Sequence, residues 1–210
     1  MKFSGRNQTE GEVVRGFRLL RGWLDADEQA AILADLRPVL VAAPFQRPVT
    51  PGGKPMSVRM TSAGRLGWIS DRRGYRYAAL HPSGTPWPPI PPRILALWRD
   101  VTGLERAPDC CLINHYAAGA RMGLHQDRDE GDFSFPVVSI SLGAEALFRM
   151  GGTERSEGTE SRWLHSGDVV VMHGPARLAW HGVDRIRGGS STLLSDGGRI
   201  NLTLRVVTSA

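Results

Sequence analysis

The sequence predicts an α+β protein in which two helices precede a jelly-roll-like core of short strands. Apolar residues recur at helical spacing twice before residue 103, over about 25–38 and 92–102. From Cys110 onward, short apolar runs alternate with turn residues, which is typical of a sandwich or a closed barrel. Helices first and strands afterwards favour the α+β class. The length of 210 residues and the hydrophobic fraction of 41% suit one packed domain, so we expect a single domain over residues 1–210.

The first helix is predicted from its N-terminal signal. Asp25 and Glu28 have the spacing of a capping box, in which each side chain accepts a hydrogen bond from the backbone N–H of the other residue. The apolar residues that follow at helical spacing are Ile32, Leu33 and Leu36. Pro38 is expected to end or kink the helix, because proline lacks the N–H that continues the hydrogen-bond ladder.

The second helix is predicted over Pro92–Thr102. Proline is favoured in the first turn and glycine just after the last, and here Pro92 and Gly103 occupy those places. The apolar positions at helical spacing are Ile94, Leu97, Trp98 and Val101.

Between the helices, the segment of about 44–92 is rich in proline and glycine and carries Trp68, Tyr75 and Tyr77. A long, weakly periodic segment inside a compact domain is usually functional or mobile. An irregular surface hairpin is the alternative. Trp87, Trp98 and Trp180 are interpreted as packing residues, and three arginines beside Tyr75 are candidates to meet phosphates: Arg72, Arg73 and Arg76.

The predicted β core covers about 108–208 and ends on the strand RINLTLR, residues 199–205. Strict alternation places four polar residues on one face: Arg199, Asn201, Thr203 and Arg205. The earlier strand LINHY likewise places Asn114 and Tyr116 on one face. Either row could face solvent. The alternative that we favour is a polar interior, in which the two arginines bind the carboxylates of a keto acid and the apolar face packs outward against the helices.

A metal site is predicted from the spacing of three residues. His125 and Asp127 stand two apart, which on a strand directs both side chains to one face, and His181 follows 54 residues after Asp127. Two histidines and one carboxylate are the facial triad of non-haem Fe(II) oxygenases, with positions left open for substrate. By spacing alone, His165 and His173 compete for the third place.

Charge and cysteine content limit the class of protein. A net charge of +5 and an isoelectric point near 9.9 favour an anionic partner such as nucleic acid. The only two cysteines, Cys110 and Cys111, are adjacent, which is unsuited to a disulfide framework and suits a reducing compartment. The chain has no signal-peptide core and no apolar stretch of membrane-span length, so we expect a cytoplasmic protein without a membrane partner.

The order of these motifs resembles the AlkB family of Fe(II)/2-oxoglutarate-dependent dioxygenases, above all its bacterial nucleic-acid repair members. The shared string runs N-x-Y, L-H-Q-D-x-D-E, V-S-x-S-L-G, G-D-V-V-V, H-G and R-x-N-L-T-x-R, and MSVRMTSAGRLGW, GYRY and PWPPIP precede it. It extends from about Met56 to Val206. The resemblance implies a double-stranded β-helix core, with the segment 44–92 as a nucleotide-recognition lid.

The resemblance also assigns roles to individual residues. The metal ligands that it implies are His125, Asp127 and His181. The residues that it implies for 2-oxoglutarate are Asn114, Tyr116, Arg199, Asn201, Thr203 and Arg205. Those that it implies for the substrate are Met60, Trp68, Tyr75, Asp129 and Arg155. Within these sets, Arg205 is expected on the distal carboxylate, and Arg199 near the keto-acid end and the active-site carboxylates.

The implied reaction is oxidative dealkylation of 1-methyladenine and 3-methylcytosine with Fe(II), 2-oxoglutarate and O2, which releases formaldehyde, succinate and CO2. The implied partner of this monomeric enzyme is alkylated single- or double-stranded DNA, with RNA as a further candidate. Methylation at these ring nitrogens leaves a cationic base, which a carboxylate such as Asp129 and an aromatic face such as Trp68 both favour. The damaged nitrogen lies on the pairing edge, so the base must leave the helix to react.

Two departures from the family pattern and two alternatives stay open. Met172 stands where close relatives carry an aromatic residue, and the polar loop of 153–163, which contains Arg155, has no secure match. The first alternative is a related dioxygenase that hydroxylates a small molecule or a protein. The second is a β-barrel that binds nucleic acid without catalysis.

Overall fold

A computed structural model describes residues 11–209, which form two helices, thirteen strands and one turn of 3-10 helix. The helices are α1 (Ala26–Ala42) and α2 (Pro92–Thr102). The strands before residue 108 are β1 (Glu12–Val14), β2 (Phe17–Leu20), β3 (Arg59–Gly64), β4 (Gly67–Asp71) and β5 (Gly74–Ala78). The later strands are β6 (Cys110–Tyr116), β7 (Met122–His125), β8 (Val137–Gly143), β9 (Ala146–Met150), β10 (Glu160–Leu164), β11 (Val169–Met172), β12 (His181–Ile186) and β13 (Arg199–Arg205).

Helix α1 begins as predicted and ends later than predicted. Asp25 and Glu28 form the full capping box. Of the two outcomes predicted for Pro38, an end or a kink, the end is wrong, since the helix continues to Ala42. Proline removes one backbone donor, but the last turn is retained by the N–H of Ala43, which donates to the carbonyl of Val39 at 2.8 Å.

Helix α2 has the predicted bounds. Pro92 lies in its first turn, and Gly103 ends it in the left-handed conformation, with φ 70°. Its apolar face is fully buried at Ile94, Leu97 and Trp98.

Two antiparallel sheets form the jelly roll. The larger has the strand order β1-β2-β11-β8-β13-β6-β3, and the smaller has the order β10-β9-β12-β7. Strand β13 lies inside the larger sheet, between β8 and β6. Its residues Ile200, Leu202 and Leu204 join the hydrophobic core that contains both helices, while its polar residues face the interior between the sheets. The prediction of an outward apolar face and an inward polar face is confirmed.

The predicted core of 108–208 is incomplete, because strands from before residue 108 extend the larger sheet. Strand β2 pairs with β11, and β3 pairs with β6. Strand β10 lies partly in the loop that had no secure match, and His181 is the first residue of β12. These strands are short, so they show too little alternation for a periodic signal.

Strands β4 and β5 form a separate two-stranded sheet, here called the recognition hairpin. Trp68 is opposite Tyr77 and Ser70 is opposite Tyr75 in its register. At its turn, the guanidinium of Arg76 donates to the carboxylate of Asp71 at 2.6 Å. The hairpin therefore shares no backbone ladder with the jelly roll.

Within residues 11–209, neither helix is long and apolar enough to cross a membrane.

Candidate active site

The three predicted metal ligands converge. The Nε2 atom of His125 lies 3.8 Å from one carboxylate oxygen of Asp127, and the Nε2 atom of His181 lies 3.8 Å from the other. The two histidines are directly opposite each other on the paired strands β7 and β12. One donor atom from each of the three residues falls within 4.8 Å of the other two. His165 and His173 lie outside this group, so the structure resolves the competition for the third ligand.

Both imidazoles are oriented by backbone carbonyls. The Nδ1 atom of His125 is 3.0 Å from the carbonyl oxygen of Gly123, and that of His181 is 3.0 Å from the carbonyl oxygen of Ala179. A carbonyl can only accept, so each Nδ1 carries the hydrogen and each Nε2 is left with a lone pair. This arrangement of metal-binding histidines is common, because it fixes both tautomer and ring direction.

The charge states of the ligands also suit a cation. Burial lowers the pKa of His181 to about 4, with a further contribution from His125, so the ring is neutral at pH 7. Burial raises the pKa of the Asp127 carboxyl, but Arg205, through its charge and its hydrogen bond, and the two neighbouring histidines together outweigh burial, so the pKa lies below its usual range. A neutral imidazole and an ionised carboxylate are the forms that bind a divalent metal.

The two arginines of β13 occupy different surroundings from those expected. Arg205 donates to the carboxylate of Asp127 at 2.8 Å and lies 3.5 Å from that of Glu130. Arg199 instead donates to Ser141 Oγ at 2.7 Å and to the carbonyl of Ala144 at 3.3 Å. The prediction that Arg199 lies by the active-site carboxylates is therefore wrong, and Arg205 has that place. Alternation gave the face of each arginine and could not say which end of the strand meets the metal.

Arg199 is buried and forms no ion pair with a carboxylate of residues 11–209. Its Nε atom has no hydrogen-bond partner among the described residues, and its side chain is essentially inaccessible. Burial lowers its pKa to about 10, and it stays charged at pH 7. A buried, unneutralised guanidinium is costly unless an anion binds beside it.

Other polar groups of the interior line the same chamber. Asn201 donates to Ser139 Oγ and accepts from Thr203. The side-chain oxygen of Asn114 is buried without a partner among the described residues, and burial raises the pKa of Tyr116 to about 12, so that its hydroxyl stays protonated. These donors and acceptors, with Arg199, fit a bound dicarboxylic keto acid, and the His/Asp/His set fits Fe(II).

The opposite end of the chamber contains the predicted substrate residues. The indole N–H of Trp68 donates to the carboxylate of Asp129 at 2.9 Å. The ring of Tyr75 stacks on that of Trp68 with centroids 5.5 Å apart, and Tyr75 is 47% exposed. Met60 is buried in the wall. The structure thus brings these four together, and Asp129 is already oriented by Trp68.

The remaining candidates lie further out. Arg155 is exposed, with its guanidinium carbon 4.9 Å from the ring centre of Trp180. Trp180, which was interpreted as a packing residue, is partly buried and also lines the cavity. Met172 also lines the cavity. Arg76, which was expected to meet phosphates, forms an ion pair with Asp71.

Three functional candidates escaped the sequence analysis: Tyr77, Glu130 and Arg177. The hydroxyl of Tyr77 lies 2.5 Å from the carboxylate of Glu130, and Arg177 donates to the other oxygen of that carboxylate at 3.1 Å. Glu130 and Arg177 are almost fully buried. The one available signal was the position of Glu130, three residues after the metal carboxylate.

A single cavity of about 390 Å3 joins the metal triad, Arg199 and the pair formed by Trp68 and Asp129. Most of the remaining wall is apolar, from residues such as Leu112, Phe148 and Met172. The metal, keto-acid and substrate candidates thus share one chamber. Such an apolar chamber with a few convergent polar groups is the usual form of an enzyme site.

The sequence profile of the 2OG-Fe(II) oxygenase superfamily matches residues 16–205. The chain is 55% identical over 199 residues to an alpha-ketoglutarate-dependent dioxygenase AlkB homolog of Caulobacter vibrioides, covering 94% of this chain and 90% of the relative. It is 43% identical over 192 residues to the alpha-ketoglutarate-dependent dioxygenase AlkB of Escherichia coli, covering 89% and 88%.

The solved structure of OsALKBH1 superimposes with a TM-score of 0.78 at 29% identity, covering 92% of this chain and 99% of that one. The likeness therefore includes the arrangement of the strands as well as the sequence of the motifs. With its His/Asp/His triad and its buried arginines, the chain belongs to the 2OG-Fe(II) oxygenase superfamily and, within it, to the AlkB family of Fe(II)/2-oxoglutarate-dependent dioxygenases.

Proposed function

We propose that the protein repairs alkylated bases such as 1-methyladenine and 3-methylcytosine in DNA, with RNA as a second substrate to be tested. The observation that carries the proposal is the shared cavity. An aromatic face and a carboxylate, Trp68 and Asp129, open onto the same chamber as the metal triad. A cationic methylated base stacked on Trp68 with its exocyclic amine at Asp129 is held by the cation-selective part of the site.

The orientation of 2-oxoglutarate follows from the two arginines. Arg205 and Arg199 are six residues apart on β13, which separates their backbones by roughly 20 Å. A metal held by His125, Asp127 and His181 would lie at the Arg205 end, because Arg205 contacts Asp127. A keto acid that binds the metal through its keto end therefore directs its distal carboxylate toward Arg199. This reverses the assignment that we made from the resemblance.

Fe(II), 2-oxoglutarate and O2 together supply the oxidising chemistry that hydroxylates the methyl group, with release of succinate and CO2. The residues of the chain position the reactants. Arg199 neutralises and orients the distal carboxylate, Arg205 holds the metal carboxylate in its ionised form, and the apolar wall limits access of water. The hydroxymethyl base then loses formaldehyde and the original base is restored.

The partner, the domain organisation and the location are parts of the same proposal. The net charge of +5, with the exposed Arg128 in the cavity lining, supports a polyanionic strand as partner. The segment of about 44–92, apart from β3, serves as the lid. Every proposed contact lies on one chain, so we propose a monomer. Cys110 and Cys111 are free and buried, which suits the cytoplasm.

The direct test uses oligonucleotides that carry one defined lesion. Single- and double-stranded DNA and RNA with 1-methyladenine or 3-methylcytosine are incubated with Fe(II), ascorbate and 2-oxoglutarate. We expect the oligonucleotide to lose the mass of one methylene group, with one formaldehyde and one succinate per event.

Asp127→Asn is the negative control. Loss of a metal ligand is expected to weaken metal binding by more than the roughly 10- to 100-fold that changes in outer partners cause, and turnover should stop. Succinate release without any lesion removal by the unaltered protein contradicts the proposal and favours a dioxygenase with another substrate.

A further inference from the structure

The three metal ligands are not held in the same way. His125 and His181 stand on paired strands, and backbone carbonyls orient both rings. Asp127 lies beyond the end of β7, in a segment without strand pairing. A carboxylate on an irregular segment has no ladder of backbone hydrogen bonds to fix it, so other groups must determine its position.

Those groups are two buried arginines and a glutamate. Arg177 donates to the backbone carbonyl of Asp127 at 2.7 Å, and Arg205 donates to both of its carboxylate oxygens, at 2.8 and 3.3 Å. Glu130 lies 3.1 Å from Arg177 and 3.5 Å from Arg205. Two cations and two carboxylates thus neutralise one another in a dry interior, where removal of a partner is costly.

The recognition hairpin reaches this cluster through one side chain. The hydroxyl of Tyr77 donates to the Glu130 carboxylate at 2.5 Å and lies 3.3 Å from a terminal nitrogen of Arg205. Tyr77 is directly opposite Trp68 in the hairpin, and Trp68 is bonded to Asp129. The hairpin is therefore pinned twice to the segment that begins with the metal carboxylate.

We propose that Tyr77 is a positioning residue that couples the recognition hairpin to the metal centre through Glu130, Arg205 and Asp127. Seating of the hairpin gives the Glu130 carboxylate its hydroxyl donor, which fixes Arg205 and so the direction of the Asp127 carboxylate. The coupling to nucleic acid rests on the proposed function, since a base that stacks on Trp68 holds the hairpin in place. By linkage, nucleic acid and metal then raise each other's affinity by the same factor.

The first experiment measures metal binding without nucleic acid. Co(II) replaces Fe(II), and its visible absorption bands report both affinity and ligand geometry. We expect Tyr77→Phe to weaken Co(II) binding about tenfold and to alter the absorption bands. Tenfold is the lower end of the range seen when a residue that supports the metal ligands, without binding the metal itself, is changed. Ser70→Ala is the matched control: it removes a hydroxyl of the same hairpin that donates to the carbonyl of Val49 and lies outside the cavity lining, and it should leave the Co(II) affinity and bands unchanged.

A second variant separates positioning from general loss of stability. Glu130→Gln should also weaken Co(II) binding, and the double variant should bind no more weakly than the weaker single variant, because both changes break one network. Thermal unfolding of the metal-free proteins shows whether each variant is folded. Additive losses, or a Tyr77→Phe protein with unchanged affinity and bands, overturn the proposal.

The last measurement tests the coupling. An oligonucleotide with 1-methyladenine should raise the Co(II) affinity of the unaltered protein about fivefold or more, and that of Tyr77→Phe by less than about twofold. Equal enhancement in both proteins overturns the link to the hairpin. Failure of the oligonucleotide to bind contradicts the proposed function, while the metal titrations still decide the role of Tyr77.

Discussion

The two ends of the cavity are built differently. At one end, the polar row of β13 lies on a strand that is bonded on both sides, so its side chains have fixed faces and spacing. At the other end, Trp68 and Tyr75 stand on a two-stranded hairpin that meets the jelly roll through side chains such as Tyr77. The difference indicates that the polar row of β13 and the two metal histidines are held by backbone pairing, whereas the recognition hairpin, like Asp127, is held by side-chain hydrogen bonds.

This difference in how the two ends are held determines how far each end can move. A strand with partners on both sides cannot shift without breaking several backbone hydrogen bonds. Its side chains therefore keep the fixed positions that binding of a metal and a small carboxylate requires. A hairpin on side-chain contacts can adjust at the cost of a few bonds, which suits lesions of different shape. Changes at the chemical end should therefore have large effects, and changes in the hairpin away from Tyr77 should have smaller and more selective ones.

The largest effect is expected for Arg199→Lys. Lysine keeps the charge but cannot form the planar two-point contact with a carboxylate. A loss of about 1.5–3 kcal/mol, typical for hydrogen bonds to charged groups, corresponds to roughly a 10- to 150-fold rise in KM for 2-oxoglutarate. Steady-state succinate release measures it. Arg187→Lys, an exposed residue paired with Glu145, is the control. An unchanged KM for 2-oxoglutarate would mean that Arg199 does not bind the distal carboxylate. It would also contradict the expectation that changes at the chemical end have the largest effects.

An intermediate and selective effect is expected for Trp68→Phe. Phenylalanine still stacks on a base but cannot donate to Asp129, which loses its fixed direction. We expect kcat/KM for 3-methylcytosine to fall about fivefold. Because 3-methylthymine is neutral and has a carbonyl in place of the amine, its kcat/KM should change little. The ratio of kcat/KM for 3-methylcytosine to that for 3-methylthymine therefore measures the loss of the oriented Asp129 carboxylate. Trp163→Phe, under Arg187 and outside the cavity lining, is the control. An equal fall for both lesions shows that Trp68 acts by stacking alone.

The smallest effect is expected for Asp71→Asn at the hairpin turn. Hydrogen bonding to Arg76 holds the pKa of Asp71 below its usual range, but the pair lies at the surface, where ion pairs contribute little. We expect kcat/KM on a methylated oligonucleotide to change less than about twofold and to depend more on salt, because Arg76 is released toward phosphates. A large fall in activity at constant salt contradicts the idea that the turn of the hairpin tolerates the loss of a single ion pair.

Much of the chemical end could be predicted because its signals are local. The period of two in RINLTLR places all four polar residues on one face wherever the strand lies in the sheet, and the structure places that face inward. His125 and Asp127 were predicted together because they are two residues apart. The capping box of Asp25 and Glu28 is likewise complete within four residues.

Only the tertiary structure decided which groups meet. The alternation in β13 is the same whether Arg199 or Arg205 faces the metal, since that choice depends on how β7 and β12 lie across the larger sheet. The bonds from Tyr77 to Glu130 and from Arg177 to Asp127 join residues about 50 apart in the chain. Spacing determines the direction of a side chain over a few residues, but the partner of a buried charge is set by the packing of distant segments.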